Sequence, residues 1–127
     1  MLDILSNLFY FLLIYNAWVN DMKTISRREE QILIAIWNLK ESAYLLGIKD
    51  HLSTIMNTKW TVGAIHKPLM KLEKDGFVES FMGGATAKRG GRRKKIYTIT
   101  KLGLQELHTI KKNHDVLWAD FPVTEKT

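Results

Sequence analysis

Residues 88–95 read Lys88-Arg-Gly-Gly-Arg-Arg-Lys-Lys95, an octet with six basic side chains and no acidic one. The 127-residue chain has 19 Lys and Arg against 13 Asp and Glu, so this octet accounts for the whole formal charge of +6. Its two central glycines favour a turn, and the runs on either side are suited to strands. A basic hairpin tip with this concentration of charge predicts a surface that binds a polyanion through counterion release.

An amphipathic helix is predicted over 62–75, immediately before the hairpin. Thr61 is a suitable N-cap, and Gly76 offers the left-handed conformation that commonly ends a helix. Pro68 is expected to kink the helix near Ala64, because proline has no amide hydrogen to donate. The side chains expected to face the core, at steps of three and four, are Val62, Ile65, Leu69 and Leu72.

Two antiparallel strands are predicted over 77–82 and 95–99 from their alternation. The segment between them is not a phosphate-binding Walker loop, since it has no Gly-Lys-Ser/Thr and a strand follows it. We therefore interpret 83–95 as a wing, whose arginines can enter a minor groove and whose lysines can contact phosphates.

Two helices are expected upstream of this region. Ser26 and Glu29 have the spacing of a capping box, and the apolar run 32–37 that follows covers every face of a helix. Such a helix is buried on more than one side, and a second subunit is the simplest partner for the side that its own domain leaves open. The next helix is predicted over 44–57, with a core stripe of Leu45, Ile48, Leu52 and Ile55.

The last helix is expected to begin at Thr100 and to end at Pro122. Its apolar positions follow the a/d spacing of a helical seam, with Trp118 beside them. This spacing indicates packing against a long surface such as the first helix of a second subunit. The seam residues are Leu107, Ile110, His114, Leu117 and Phe121.

Residues 1–22 leave three interpretations open. The segment is apolar, with no charged residue between Ile4 and Asn20. It is an extra helix that packs on the domain or across a dimer, an upstream extension with Met22 as the start, or a membrane anchor. The uncharged span of 17 residues is at the short limit for a membrane helix, so a membrane role is the least expected of the three.

The predicted order of elements is three helices, a wing and a last helix. This is the order of a winged-helix domain, which is mainly α with a two-stranded sheet. Within it, Thr61-Val-Gly-Ala-Ile-His-Lys-Pro-Leu-Met-Lys-Leu-Glu-Lys-Asp-Gly-Phe-Val78 resembles the recognition helix of PadR-type transcriptional regulators. The wing Ala85-Thr-Ala-Lys-Arg-Gly-Gly-Arg-Arg-Lys-Lys-Ile-Tyr97 also resembles that family. So does Thr98-Ile-Thr-Lys-Leu-Gly103 at the start of the last helix, and Leu117-Trp118 looks like members with a short C-terminal helix.

The resemblance covers roughly 25–121 and implies a homodimeric repressor on a palindromic operator in double-stranded DNA, with a small-molecule inducer between the subunits as a further expectation. Family members usually have tyrosine where this chain has His66, and often place a proline one step before Pro68. The implied DNA-binding residues are Thr61, Gly63, Ala64, His66, Lys67, Lys88, Arg89, Gly90, Gly91, Arg92, Arg93 and Lys94. The expected dimer interface comprises Ile32, Leu33, Ile36, Trp37, Leu107, Ile110, His114, Leu117, Trp118 and Phe121.

We therefore divide the chain into an N-terminal extension (1–22), a winged-helix domain (23–99), a dimerisation helix (100–121) and a tail (122–127). Catalysis is not expected, because the four histidines form no helical pair and no Gly-x-Ser-x-Gly or His-Glu-x-x-His motif occurs. With no cysteine, thiolate metal sites are excluded, and we expect no metal and no cofactor. A cytoplasmic location fits this composition. Two alternatives stay open: a winged helix that binds RNA or protein, and a membrane-tethered adaptor whose hairpin binds anionic lipid.

Overall fold

The computed structural model describes residues 2–21, 24–83 and 93–122, and within the first of these ranges it describes the side chains of residues 4–14. The prediction of a mainly helical winged-helix fold is confirmed. The elements are α1 (Leu2–Asp21), α2 (Arg27–Leu39), α3 (Leu45–Met56), α4 (Val62–Lys74), β1 (Val78–Met82), β2 (Lys95–Ile99) and α5 (Lys101–Leu117), with a 3-10 turn at Lys40–Ser42.

The core lies where α2, α3 and α4 meet one another and the sheet. The prediction that Ile55 and Val62 lie in the core is wrong, because Ile55 is 60 % exposed and Val62 is 43 % exposed. Both lie at an end of their helix, where the apolar stripe has run past the neighbouring helices. The buried hydrophobic residues are Ile32, Leu33, Ala35, Ile36, Ala43, Ile48, Leu52, Trp60, Ile65, Leu69, Leu72, Phe77, Val78 and Tyr97.

Three predicted N-caps are confirmed. The hydroxyls of Ser26, Thr61 and Thr100 each accept from the amide three residues on, at 3.2, 3.1 and 3.1 Å. Glu29 completes the capping box by accepting from the Ser26 amide at 2.6 Å. Since each bond satisfies an amide that the helix itself cannot, these residues set where α2, α4 and α5 begin.

Backbone hydrogen bonds attach the sheet to the helices around it. β1 and β2 are antiparallel, with Val78 opposite Ile99 and Met82 opposite Lys95. The Tyr97 amide donates to the Ala43 carbonyl at 2.9 Å, which attaches β2 to the segment before α3. The position of the wing's base is therefore set by the domain, while residues 84–92 of the wing lie outside the described residues.

The last helix is shorter than predicted. α5 ends at Leu117 rather than near Phe121, and turns follow it, with the Phe121 amide donating to the Trp118 carbonyl at 3.0 Å. Pro122 restricts the residue before it, Phe121, so it does not by itself set the end of the helix at Leu117.

α1 is a helix of 20 residues with an uncovered apolar surface. The large hydrophobic side chains between Ile4 and Ile14 are 49–75 % exposed. Packing of α1 on the domain or across a dimer stays a prediction. Within the described part of the chain, no helix is both long and apolar enough to cross a membrane.

Candidate nucleic-acid interface

The outer face of α4 begins with an open, small-residue surface. Thr61, Gly63, His66 and Lys67 are exposed, whereas Ala64 is half-buried and packs partly against the core. A Cβ built on Gly63 meets no atom within 4 Å. Another molecule can therefore come close to the N-terminal end of α4, where the helix dipole favours a negatively charged group.

Lys71, on the same helix, is held in a network of carboxylates. Its ammonium lies 3.2 Å from Oδ2 of Asp75 and 3.4 Å from Oε2 of Glu29. The hydrogen bond to Asp75, followed by the interaction with Glu29, raises the pKa of Lys71. Because two carboxylates share this positive charge, Lys67 is the more suitable lysine of α4 for a phosphate contact.

The wing residues are only partly described. Arg93 and Lys94 are exposed, whereas the predicted DNA contacts Lys88, Arg89, Gly90, Gly91 and Arg92 lie outside the described residues. The Lys94 ammonium lies 3.9 Å from the ring centroid of Tyr44, just before α3. A cation–π contact of this kind attaches the base of the wing to the domain.

A carboxylate joins α4 to both strands of the wing. Oε1 of Glu73 accepts from the Lys95 ammonium at 3.3 Å, and Oε2 accepts from the Ser80 hydroxyl. The Ser80 hydrogen bond, followed by Lys95, lowers the pKa of the Glu73 carboxyl. The electrostatic interaction of the Lys95 ammonium with Tyr97, followed by its hydrogen bond to Glu73, raises the pKa of Lys95. Both groups are therefore charged at neutral pH.

Two residues near this surface were missed by sequence reasoning. Glu73 was not singled out, because nothing in the sequence pairs a helix residue with a particular strand. Arg28 was also missed: its guanidinium carbon lies 5.1 Å from the ring centroid of Trp60, directly before the N-cap of α4. Only the tertiary structure brings the start of α2 beside the start of α4.

The predicted dimer surface needs one correction. Ile32, Leu33 and Ile36 are 0–2 % exposed, so they belong to the core and have no surface to offer a partner. The exposed apolar residues of the same helix are Ile34 at 42 % and Trp37 at 52 %. These two line an open groove of about 660 Å³ between α2 and α5.

The predicted seam on α5 divides into two parts. Leu107 and Ile110 are half-buried and line the groove, together with His114. Beyond them His114 stacks on Trp118 with ring centroids 5.4 Å apart, and Trp118 meets Phe121 at 4.8 Å. Leu117 is 81 % exposed. The structure thus brings most of the predicted residues of α5 onto a solvent-facing surface.

Comparison with known proteins agrees with this architecture. The sequence model of the transcriptional regulator PadR-like family matches residues 33–109. A PadR-like transcriptional regulator from Bacillus cereus is 25 % identical, with a TM-score of 0.59, and the match covers 72 % of this chain and 84 % of that chain. A complex structure of RosR from H. salinarum is 18 % identical, with a TM-score of 0.60 and coverages of 81 % and 82 %.

A transcriptional regulator from Clostridium thermocellum is 17 % identical, with a TM-score of 0.59, and the match covers 76 % of this chain and 93 % of that chain. No curated protein matches the chain. In the described residues, no cluster of His, Asp and Glu has the arrangement of a metal site. The family match spans more than half of the sequence, and the chain belongs to the PadR-like family of transcriptional regulators.

Proposed function

We propose that this regulator is a dimeric repressor in the cytoplasm that reads a palindromic operator in double-stranded DNA. The observation that carries the proposal is the open N-terminal face of α4 beside a wing whose base is attached to that same helix. A helix of this kind fits the major groove, and a basic hairpin beside it fits the adjacent backbone and minor groove.

Each part of the surface has chemistry suited to its place on DNA. The Thr61 hydroxyl and the His66 imidazole can form hydrogen bonds with base edges. Lys67 can contact a phosphate, and the glycines of α4 and the wing allow a close approach. In the wing, we assign phosphate or minor-groove contacts to Lys88, Arg89, Arg92, Arg93 and Lys94.

The proposal is tested by fluorescence anisotropy with two labelled duplexes, the gene's own upstream region and a random pool of the same length, over a range of salt concentrations. We expect tighter binding to the upstream region and a steep loss of affinity with salt for both duplexes. If neither duplex binds at low salt, the repressor function is wrong, and RNA, anionic lipid or an acidic protein becomes the expected partner of the wing.

Replacing Thr61 or His66 by alanine is expected to reduce discrimination between sites. Each good base contact contributes about 1–3 kcal/mol of discrimination, so the ratio of specific to random affinity should fall roughly 5- to 150-fold. Lys67→Ala is the control, because losing a phosphate contact weakens binding to both duplexes by the same factor. An unchanged ratio in both the Thr61 and the His66 variant would remove these two residues from base reading.

The dimer is proposed to form through α2 and α5. Support comes from the exposed Ile34 and Trp37 and from the uncovered seam of α5. Such a dimer would place two copies of α4 in successive major grooves, about 34 Å apart. A small-molecule inducer between the subunits completes the proposal, since the groove of about 660 Å³ has the size of a ligand site.

Ile34→Asp is expected to convert the dimer into monomers, because it places a charge in an apolar interface. Ile55→Asp is a matched control, since Ile55 is the same residue type, is also exposed (60 % against 42 % for Ile34), and lies on α3 outside the groove. Sedimentation velocity of both variants gives the oligomeric state. Removing residues 1–21 in the same experiment tests whether α1 contributes to the dimer. If Ile34→Asp remains a dimer, this interface is wrong.

A further inference from the structure

We propose that Glu73 is a positioning residue for DNA binding, which fixes the wing relative to α4 so that helix and wing contact one stretch of DNA together. This inference rests on the proposed function. It concerns a residue that touches no DNA in that proposal and acts only through Ser80 and Lys95.

The first argument is the geometry of the two bonds. The two carboxylate oxygens of Glu73 have different partners, Ser80 on β1 and Lys95 on β2. In the sheet Ser80 lies opposite Tyr97, and Lys95 is two residues before Tyr97 on the same face. A single side chain of α4 thus contacts both strands, so the sheet cannot rotate about α4 without breaking at least one of the two bonds.

The second argument is where these bonds lie along the wing. Lys95 is the first residue of β2 and the last residue of the basic octet. On the other side of the base, Lys94 contacts Tyr44 and the Tyr97 amide donates to Ala43. The base of the wing is therefore attached both to α4 and to the start of α3. Glu73 supplies the side-chain attachment to α4, beside the backbone bond from the Phe77 amide to the Leu72 carbonyl at 2.9 Å.

The third argument is electrostatic. Glu73 borders a surface cleft between α4 and the sheet, together with His66, Lys74 and Lys95. A phosphate backbone that passes from the groove occupied by α4 to the groove occupied by the wing would cross this cleft. As a bare charge, a carboxylate in this place repels DNA. Removing the charge should then strengthen binding, whereas removing a positioning contact should weaken specific binding, so the two roles predict opposite results.

The test compares Glu73→Gln with Glu79→Gln. Glu79 is the neighbour of Ser80 on β1 and is exposed, and successive side chains of a strand point to opposite faces. Both substitutions remove one negative charge from the wing region, but only the first touches the bonds to Ser80 and Lys95. The probes are a 30-base-pair duplex selected by the wild-type protein from a random library and the unselected random pool.

We expect Glu73→Gln to lower the ratio of selected to random affinity roughly 2- to 5-fold, the size expected for a partly exposed ion pair. Glu79→Gln should strengthen both affinities by the same factor and leave the ratio unchanged. Ser80→Ala keeps the charge of Glu73 and removes one bond, so it should lower the ratio in the same direction by a smaller factor. Thermal unfolding of each variant establishes that it is folded.

Two results would overturn different statements. If Glu73→Gln strengthens binding to both duplexes as Glu79→Gln does, Glu73 is a surface charge and the positioning role is wrong. The proposed function would then still stand. If the wild-type protein selects no duplex and does not bind the pool, the proposed function itself fails. A Ser80→Ala protein with an unchanged ratio, beside a lowered ratio for Glu73→Gln, would restrict the positioning contact to Lys95.

Discussion

Replacing Arg92 and Arg93 together by alanine is expected to weaken binding to every duplex, selected or random, by roughly 10- to 100-fold at moderate salt. Each phosphate contact releases condensed counterions, and each contributes about 0.9 to the slope of log affinity against log salt. Losing two such contacts should therefore flatten the slope by about 2. The ratio of selected to random affinity should change little, because phosphate contacts carry no direct sequence information.

The control for this prediction removes two positive charges from another surface. Lys101 and Lys112 are exposed on α5, and neither borders the groove proposed as the dimer interface. Replacing both by alanine gives the same change in net charge outside the wing. Salt-dependent anisotropy of the two double variants distinguishes a local contact from a general loss of charge. Equal slopes in the wild-type protein and the wing variant would contradict the wing assignment.

Gly103→Ala is expected to cause the largest loss of stability, about 3 kcal/mol in the free energy of unfolding, the upper end of the usual range for overpacking. A Cβ at this position would lie 2.2 Å from the Phe77 carbonyl oxygen and 2.9 Å from Cγ2 of Ile99. The oxygen belongs to the backbone and cannot rotate away. It also accepts from the Thr100 amide at 3.0 Å, so any shift disturbs the start of α5.

Gly63→Ala is the matched control, since it makes the same substitution near the start of another helix. Nothing lies within 4 Å of a Cβ at Gly63, so the better helix propensity of alanine should stabilise the protein by up to about 1 kcal/mol. Urea unfolding of both variants measures the difference. If Gly103→Ala unfolds at the same urea concentration as the wild-type protein, the close contact between α5 and Phe77 is wrong.

The sequence determined the features that depend on a few neighbouring residues. The hydroxyls of Ser26, Thr61 and Thr100 were expected at helix starts, and each accepts the expected amide three residues on. Gly76 was expected in the left-handed region and has a φ of 85°. Capping and turn chemistry are local, since a side chain and its backbone partner are close along the chain. The order of elements, and hence the winged-helix fold, follows from these starts and ends.

The tertiary structure decided which side of an apolar helix faces inward. The run 32–37 is apolar on every face, so its periodicity does not separate core from surface. Packing of α3, α4 and the sheet on α2 buries Ile32, Leu33 and Ile36, and it leaves Ile34 and Trp37 exposed. At Ile55 and Val62 the stripe continues beyond the neighbouring helices, and periodicity contains no information on where that contact ends.

The tertiary structure also decided which charged side chains pair with one another. Lys71 is exposed on α4, but Glu29 from another helix and Asp75 share its charge. Glu73 bonds to Lys95, which is 22 residues away along the chain, and to Ser80 on the other strand. An ion pair between separate elements depends on how those elements pack, which no local pattern specifies. The sequence thus determined a basic wing after a recognition helix, and the packing of α4 on the sheet decided which side chains hold the two together.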